Sequence, residues 1–358
     1  HDSDGTDPSV GPNGINHHVP RSTYDDHGLL ATLIGDGRSL LMLTGLALIG
    51  SGGFAIFQSA TGQFLPHDVE YLGMTALDLC GINACRIVHF MFHDRVSFGG
   101  TLIAMGSLYL WLAAFPLHQG EAWAWWLFLL SGMTGFGSFM AYLGYGYLDQ
   151  WHLWATLLLL PVFVYGLVHT RKLIHPNSSP GCLLRPAVRV PWRSPFGIGR
   201  ALLLVTSAVL AVGGLIIIYV GMTSVFVPQD LEYMGVSAKY LNEINPRLIP
   251  LIAHDRAGFG GGLFTTSLTV FFSIWCGRPS RSLWQVLLFA GTVGFITAVG
   301  IHPVIGYLSA SHLAPALVVS ILFVAGIALC YRPMIQGSFD PPADGDRDPE
   351  ASVPLFEP

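Results

Sequence analysis

The sequence predicts an all-α polytopic membrane protein with eight transmembrane helices, arranged as two tandem parallel four-helix repeats. Three observations support this fold class. Hydrophobic residues make up 52% of the chain, charged residues 11%, and the mean hydropathy is +0.54, whereas soluble domains carry about 25% charged residues. The apolar stretches are continuous rather than alternating, which favours helices. Three sequence blocks of the first half also recur, in the same order, in the second half.

The membrane spans are predicted from the length of the apolar stretches. A helix needs about 20 apolar residues to cross a hydrocarbon core ~30 Å thick. Eight stretches satisfy this requirement: 39–58, 97–117, 122–147, 151–170, 201–226, 257–277, 283–306 and 311–331.

The repeat is clearest in the segments His93–Leu102 and His254–Leu263, which share seven of ten residues, including His-Asp-Arg and Phe-Gly-Gly. Four predicted spans per copy is an even number, so both copies should insert in the same orientation around an axis along the membrane normal. The other two repeated blocks are 64–73 with 226–235, identical at six of ten positions, and 146–152 with 306–312, identical at four of seven.

The chain therefore divides into five segments. The two tails lack the apolar content needed to order themselves, and the linker between the repeats holds six basic residues, five prolines and no acid, which is typical of an irregular connector. The predicted segments are a disordered tail 1–38, a first repeat 39–170, a linker 171–200, a second repeat 201–331, and a disordered acidic tail 332–358.

The orientation in the membrane follows from the distribution of Lys and Arg. With eight spans, twelve of the 17 lie on the side that holds the termini and the linker, and five on the other side. Cytoplasmic loops carry the excess of basic residues, so we expect a plasma (inner) membrane protein with both termini in the cytoplasm and the His-Asp-Arg segments facing outward. The expected partners are the lipid bilayer and other membrane subunits. The net charge of −5 gives no reason to expect nucleic acid.

Each repeat contains a long outward loop before its second span. Pro66 and Asp68 are typical of a helix start, and the apolar residues that follow recur at helical spacing. We expect a short amphipathic helix on the bilayer surface, followed by a second one that begins near Asn83–Arg86 or Asn245–Arg247 and leads into the next span. Cys80 and Cys85 lie in this loop, where a disulfide is permitted, but the bond requires a break in the helix near Gly81.

Four histidines occupy matching places in the two copies. His93 and His254 lie at the outward start of the second span, and His152 and His312 at the outward start of the fourth. If each copy folds as a four-helix bundle, His93 converges with His152 and His254 with His312, which is how bundles hold a metal ion or haem b. Residues at the same level that could bind a small ligand are Asp68, Glu70, Asp94, Arg95 and Tyr147, with Asp230, Glu232, Asp255, Arg256 and Tyr307.

A purely structural interpretation competes with this site. In it, the aspartate of His-Asp-Arg caps the helix start, the arginine snorkels or pairs with Asp68 or Glu70, and Phe-Gly-Gly allows close helix packing. His302 has no histidine counterpart in the first copy, which would allow one copy to keep a site that the other supports.

Three functions remain open on this basis. The first is a membrane subunit, within a redox assembly, whose outward His/Asp/Arg sites bind a small ligand, metal or haem. The second is a small-solute transporter, although no charged residue lies in the middle of a span, where ion-coupled carriers usually need one. The third is a structural or assembly protein. Whether the protein is an enzyme stays open, because no hydrolase, nucleotide-binding or thiol-redox motif is found.

Overall fold

The computed structural model describes residues 34–139, 147 and 149–336, and is all-helical within them. Most of the two predicted disordered tails lies outside the described residues. The α-helices that lie wholly within these residues are α1 Arg38–Ala60, α2 Pro66–Leu72, α3 Ala76–Asn83, α4 Arg86–Ala114, α5 Ala122–Phe139, α6 Gln150–Thr170, α7 Pro195–Met222, α8 Pro228–Met234, α9 Ala238–Ile244, α10 Leu248–Cys276, α11 Arg281–Ile305 and α12 Ala310–Ile335.

Seven of the described helices are long and apolar enough to cross a membrane. They are α1, α4, α6, α7, α10, α11 and α12, and they correspond to seven of the predicted spans. Helix α5 represents the remaining predicted span, 122–147, but is not one of the seven. Residues 140–146 of that span lie outside the part of the chain that the structure describes.

The loop before the second long helix of each half contains two short helices, where the sequence predicted a single short helix ahead of the one that leads into the next span. Gly73 ends α2 and Gly235 ends α8, and both have a positive φ, of 68° and 67°. Glycine adopts this left-handed conformation without steric cost. The predicted helix start at Pro66 is confirmed, and the Asp68 side chain accepts a hydrogen bond from the Leu65 N–H at 3.3 Å.

The short helices α2, α3, α8 and α9 form a cap over one end of the long helices, hereafter the cap end. Their buried side chains pack together with the first turns of α4 and α10 in one apolar cluster that combines both halves. Asn83 donates to the Met234 carbonyl, and its counterpart Asn245 donates to the Leu72 carbonyl at 2.7 Å. The two halves of the cap therefore hold each other by reciprocal contacts.

The Cys80–Cys85 disulfide is formed. The chain turns later than the predicted break at Gly81: helix α3 runs to Asn83, and Ala84 and Cys85 then take positive φ values of 50° and 64°. These two left-handed residues reverse the chain direction, which brings the two sulfurs together.

The long helices are not arranged as two separate four-helix bundles. Helices α4 and α10 pack against each other at the centre, and each contacts the first long helix of its own half, α1 or α7. The third long helix crosses over: α11 of the second half packs on α4, and α5 of the first half packs on α10. The expectation of two independent bundles is therefore wrong, because each half contributes a helix that packs against the central helix of the other half.

The Phe-Gly-Gly segments allow this close packing, as predicted. Gly99 lies against Gly52 of α1, and its counterpart Gly260 lies against Gly214 of α7, so closely that an added Cβ would meet the facing carbonyl oxygen at 2.7–2.8 Å. Small residues let helix backbones approach in this way.

Adding one methyl group at this crossing should destabilise the fold. A Cβ at Gly52 would overlap the Gly99 carbonyl oxygen, whereas the neighbouring Gly53 has nothing within 4 Å. We expect Gly52→Ala to lower the free energy of unfolding by about 1–3 kcal/mol, because packed helices must shift. Gly53→Ala is the matched control and should melt at the temperature of the unchanged protein or slightly above it, because alanine favours the helix. Thermal unfolding in detergent measures both, and equal melting temperatures for the two variants would contradict the assigned crossing.

Candidate functional site: two histidine groups at the cap end

The His-Asp-Arg segments lie inside the long helices rather than at their start. Helix α4 begins at Arg86 and α10 at Leu248, so Asp94 and Asp255 are about two turns beyond the first helical residue and more than one turn beyond the last free N–H group. The expectation that these aspartates cap a helix is therefore wrong. Their side chains are buried among charged partners from other helices instead.

Each arginine of the repeated segment joins both halves. Arg95 of α4 binds Asp68 of its own half and Asp255 of α10, both at 2.7 Å. Its counterpart Arg256 binds Asp230 at 2.5 Å and Asp94 of α4 at 3.4 Å. The pairing of Arg95 with Asp68 was predicted, but the bridge to the opposite half was not. Buried charges need such partners, because desolvation is costly.

Two tyrosines complete this charged network. The Tyr147 hydroxyl donates to Asp68 at 2.8 Å, and the corresponding Tyr307 hydroxyl donates to Asp230 at 2.9 Å. Burial, together with the neighbouring carboxylate, raises the pKa of both tyrosines. Both phenols therefore stay neutral and act as hydrogen-bond donors. Asp68 and Asp230 thus each bind an arginine and a tyrosine in the same way.

The first histidine group consists of His93, His302 and His312, whose ligand atoms all lie within 4.8 Å of one another. The Nε2 atoms of His93 and His302 are 3.1 Å apart. Nδ1 of His93 lies 3.0 Å from Asp94. An ionised carboxylate can only accept, so this Nδ1 carries the proton and Nε2 of His93 presents its lone pair to the other histidines.

The second group consists of Asp149, His152 and His254, again within 4.8 Å. Nδ1 of His152 lies 3.1 Å from Nε2 of His254 and 3.2 Å from Asp149. His67 approaches the other oxygen of Asp149 at 3.3 Å. Helix α6 begins directly after Asp149, whose side chain accepts a hydrogen bond from the His152 N–H, so the helix start fixes this carboxylate in place.

Asp149 provides a permanent negative charge in this second group. Burial alone would raise its pKa, but hydrogen bonds from His152 and His67 outweigh burial and hold the pKa well below its ordinary value. Burial likewise disfavours protonation of His67, yet the nearby Asp149 raises the pKa of His67 overall. The ionised carboxylate favours any cation that enters the group.

The histidines pair across the two halves and not within each copy. The structure brings His93 to His302 and His312, and His254 to His152, whereas the expected pairs were His93 with His152 and His254 with His312. The correction follows from the exchanged third helices, which place α11 against α4. All four predicted histidines belong to one of the two groups.

Sequence reasoning did not assign two members of these groups, His302 and Asp149, or the adjoining His67, which contacts Asp149. His302 lacks a histidine counterpart, and His67 and Asp149 correspond to Gln229 and Ser309, so a search for duplicated residues passes over them. In the sequence, only the nearness of these residues to repeated ones, such as His312 and Asp68, points to them. Among the predicted ligand-binding residues, Glu70 and Glu232 are exposed, and neither belongs to a described histidine group.

Both groups have the donor types of transition-metal sites. Three imidazoles suit Zn²⁺ and other divalent first-row metals, and two imidazoles with a carboxylate form a second common set. Tetrahedral zinc with Zn–N bonds of about 2.0–2.1 Å places nitrogen pairs roughly 3.3 Å apart, close to the 3.1 Å observed in each group. Histidines that ligate the two faces of a haem have a porphyrin between them, and nitrogens at this separation leave no room for it.

Comparison with family models, with curated proteins and with solved structures finds no match for this chain, so its function has to be argued from the residues of the site.

Proposed function

We propose that this protein is an integral membrane metalloprotein with two metal centres at the cap end, one held by His93, His302 and His312 and the other by Asp149, His152 and His254. The observation that carries the proposal is the 3.1 Å separation of the His93 and His302 Nε2 atoms in a buried position. Two neutral imidazoles at this distance either share one proton or bind one ion.

The surroundings of His93 favour the ion. Asp94 holds the proton on Nδ1 and so aims the Nε2 lone pair at the group. A carboxylate behind a histidine ligand fixes its tautomer and makes the nitrogen more basic, as in carboxylate–histidine–zinc sites. Arg256 in turn lies 3.4 Å from Asp94 and gives the carboxylate a cationic partner. Three protein ligands leave a fourth position of a tetrahedral ion open for a further molecule.

The two centres belong to a duplicated architecture in this proposal. His93 corresponds to His254 and His312 to His152 in the repeated sequence blocks. The reciprocal arginine, tyrosine and asparagine contacts support two parallel four-helix repeats of eight spans, in which α5 belongs to the span that the sequence predicts as the eighth. In the proposed orientation the termini are cytoplasmic and the cap is outward, which the distribution of Lys and Arg supports.

The test is the metal content of protein purified without a polyhistidine tag, washed with chelator and reloaded with Zn²⁺ or Co²⁺. We expect two ions per chain, one ion for His302→Ala, and one for His254→Ala. His89→Ala is the matched control, since His89 lies on α4 one turn before His93 and is in neither group, and it should retain both ions.

The Co²⁺-loaded protein adds a readout of geometry. A cobalt ion bound by three histidines should give visible absorption that His302→Ala removes and His89→Ala preserves. If the unchanged protein retains no stoichiometric metal, or if His302→Ala and His254→Ala bind as much as the control, the metal function is excluded and the histidine pairs are hydrogen-bonded structural contacts.

A further inference from the structure

A cavity of about 340 Å³ extends from the first histidine group along the long helices. It lies between α4, α7, α10, α11 and α12, which means that both halves line it. At one end are His93, Asp94, Arg256, His302 and His312. Most of the remaining wall is apolar, with side chains such as Leu210, Phe259 and Val319. Its size is at the lower end of the range for small-molecule sites, about 300–1,000 Å³.

Two buried hydroxyl groups on the cavity wall lack a protein partner. Ser97 Oγ and Thr206 Oγ1 both line the cavity and are 1% and 3% exposed by residue, yet neither has a hydrogen-bond partner among the described residues. Other wall hydroxyls are satisfied, as Thr101 is by the Ser97 carbonyl at 2.9 Å. Buried polar groups are rarely left unpaired, because each costs about 1–3 kcal/mol. A bound molecule with polar atoms would supply the missing partners.

Exposed residues that line the cavity on α7 and α12 indicate a sideways opening between these two helices. These helices touch at the end away from the cap, where Gly199 lies against Gly326. Nearer the cap end, Val209 of α7 and Pro315 of α12 line the cavity while they are exposed on the outer surface. Both helices are apolar candidate spans. A molecule would therefore enter from the hydrocarbon phase of a membrane rather than from water.

The corresponding space in the first half is almost filled. The equivalent positions surround a cavity of only about 60 Å³. Tyr109 occupies the place of Val270, and Met105 the place of Thr266. The Tyr109 ring packs on Phe163, and its hydroxyl bonds Ser131 at 2.9 Å. The large cavity is thus not an unavoidable result of the helix packing, because the equivalent space is almost filled.

We propose that the cavity binds a membrane-soluble molecule that has an apolar chain and a neutral hydroxyl or carbonyl head, with the head at His93, His302 and His312. Imidazoles can donate to or accept from such oxygens, and a charged head would have to pass along the apolar walls to reach them. Ligation of the head by a metal rests on the proposed function; occupancy of the cavity does not.

The experiment measures binding to the full chain in nanodiscs by titration and native mass spectrometry. The probes are 2-decyl-1,4-benzoquinone as the carbonyl head, 1-dodecanol as the hydroxyl head, and dodecane, which has no head. We expect one molecule of either headed probe per chain, and dodecane to bind about fivefold or more weakly, since it offers no hydrogen bond.

Val270→Tyr tests the cavity directly, because it places in the second half the residue that fills the first. We expect it to weaken binding of both headed probes about tenfold or more. Thr266→Met repeats the test with the other filling residue. Val318→Tyr is the matched control: Val318 is exposed on α12 and does not line the cavity, so binding should be unchanged.

Metal analysis of the same samples separates the two proposals. Val270→Tyr should keep the metal content of the unchanged protein while it loses the probes. If the headed probes do not bind, if Val270→Tyr binds them like Val318→Tyr, or if dodecane binds as tightly as they do, the cavity proposal is overturned whatever the metal content. If the probes bind as expected in a protein without metal, the cavity proposal stands and the metal function falls.

Discussion

Replacing Arg256 with methionine is expected to lower the free energy of unfolding by about 3–5 kcal/mol. The guanidinium binds Asp230 and Asp94, whose side chains are 0% and 2% exposed. Methionine fills similar space but leaves both carboxylates buried without their cation, and an uncompensated buried charge is far more costly than a lost contact. Denaturant or thermal unfolding in detergent measures the effect.

The control and a rescue variant separate this effect from a general loss of charge. Lys239→Met removes an exposed cation 3.8 Å from Glu243, and surface pairs of this kind contribute about 0–1 kcal/mol. Adding Asp230→Asn to Arg256→Met should recover part of the stability, because one orphaned charge is removed. An Arg256→Met protein that is as stable as Lys239→Met would contradict the assigned network.

Removing bound metal is expected to lower the stability by about 4 kcal/mol per centre when free ion is held near 1,000 times its Kd. An ion that binds only the folded chain stabilises it by mass action, and each proposed centre joins the two halves of the chain. The melting temperature should therefore rise with Zn²⁺ and fall on chelation. A scan of melting temperature against free Zn²⁺ measures this dependence.

The histidine variants show which metal centre causes the stabilisation by Zn²⁺. His302→Ala should lose about half of the metal-dependent increase, and His302→Ala with His254→Ala nearly all of it. His89→Ala should respond like the unchanged protein. A melting temperature that does not depend on Zn²⁺, or a double variant that still responds fully, would contradict this prediction.

The sequence predicted much of the local structure. The helix start at Pro66, the pairing of Arg95 with Asp68 and the packing role of Phe-Gly-Gly are all confirmed. These features depend on residues close in sequence or on backbone chemistry, so they can be read from short patterns. The break at Gly73 was missed because the apolar spacing continues across it, while the positive φ of one residue leaves no mark on that spacing.

Repetition also biased the search for the site. It pointed to His93, His152, His254 and His312, because they are duplicated. It noted His302 only as a histidine without a counterpart and passed over Asp149, although these two residues complete the first and the second group. When two unlike halves form a site, its duplicated residues can be recognised in the sequence. Residues that only one half supplies cannot be recognised in this way.

By itself, the sequence determined which segments are helical, which helix faces are small or charged, and which residues occur in pairs. Only the tertiary structure decided which helix meets which, and so that His93 faces His302 rather than His152. The physical reason is that the periodicity of apolar residues shows which face of a helix is buried, but not which other helix packs against that face. Because α11 packs on α4 and α5 packs on α10, the buried and charged faces of these helices find their partners in the opposite half. Each site between these helices therefore combines residues of both halves.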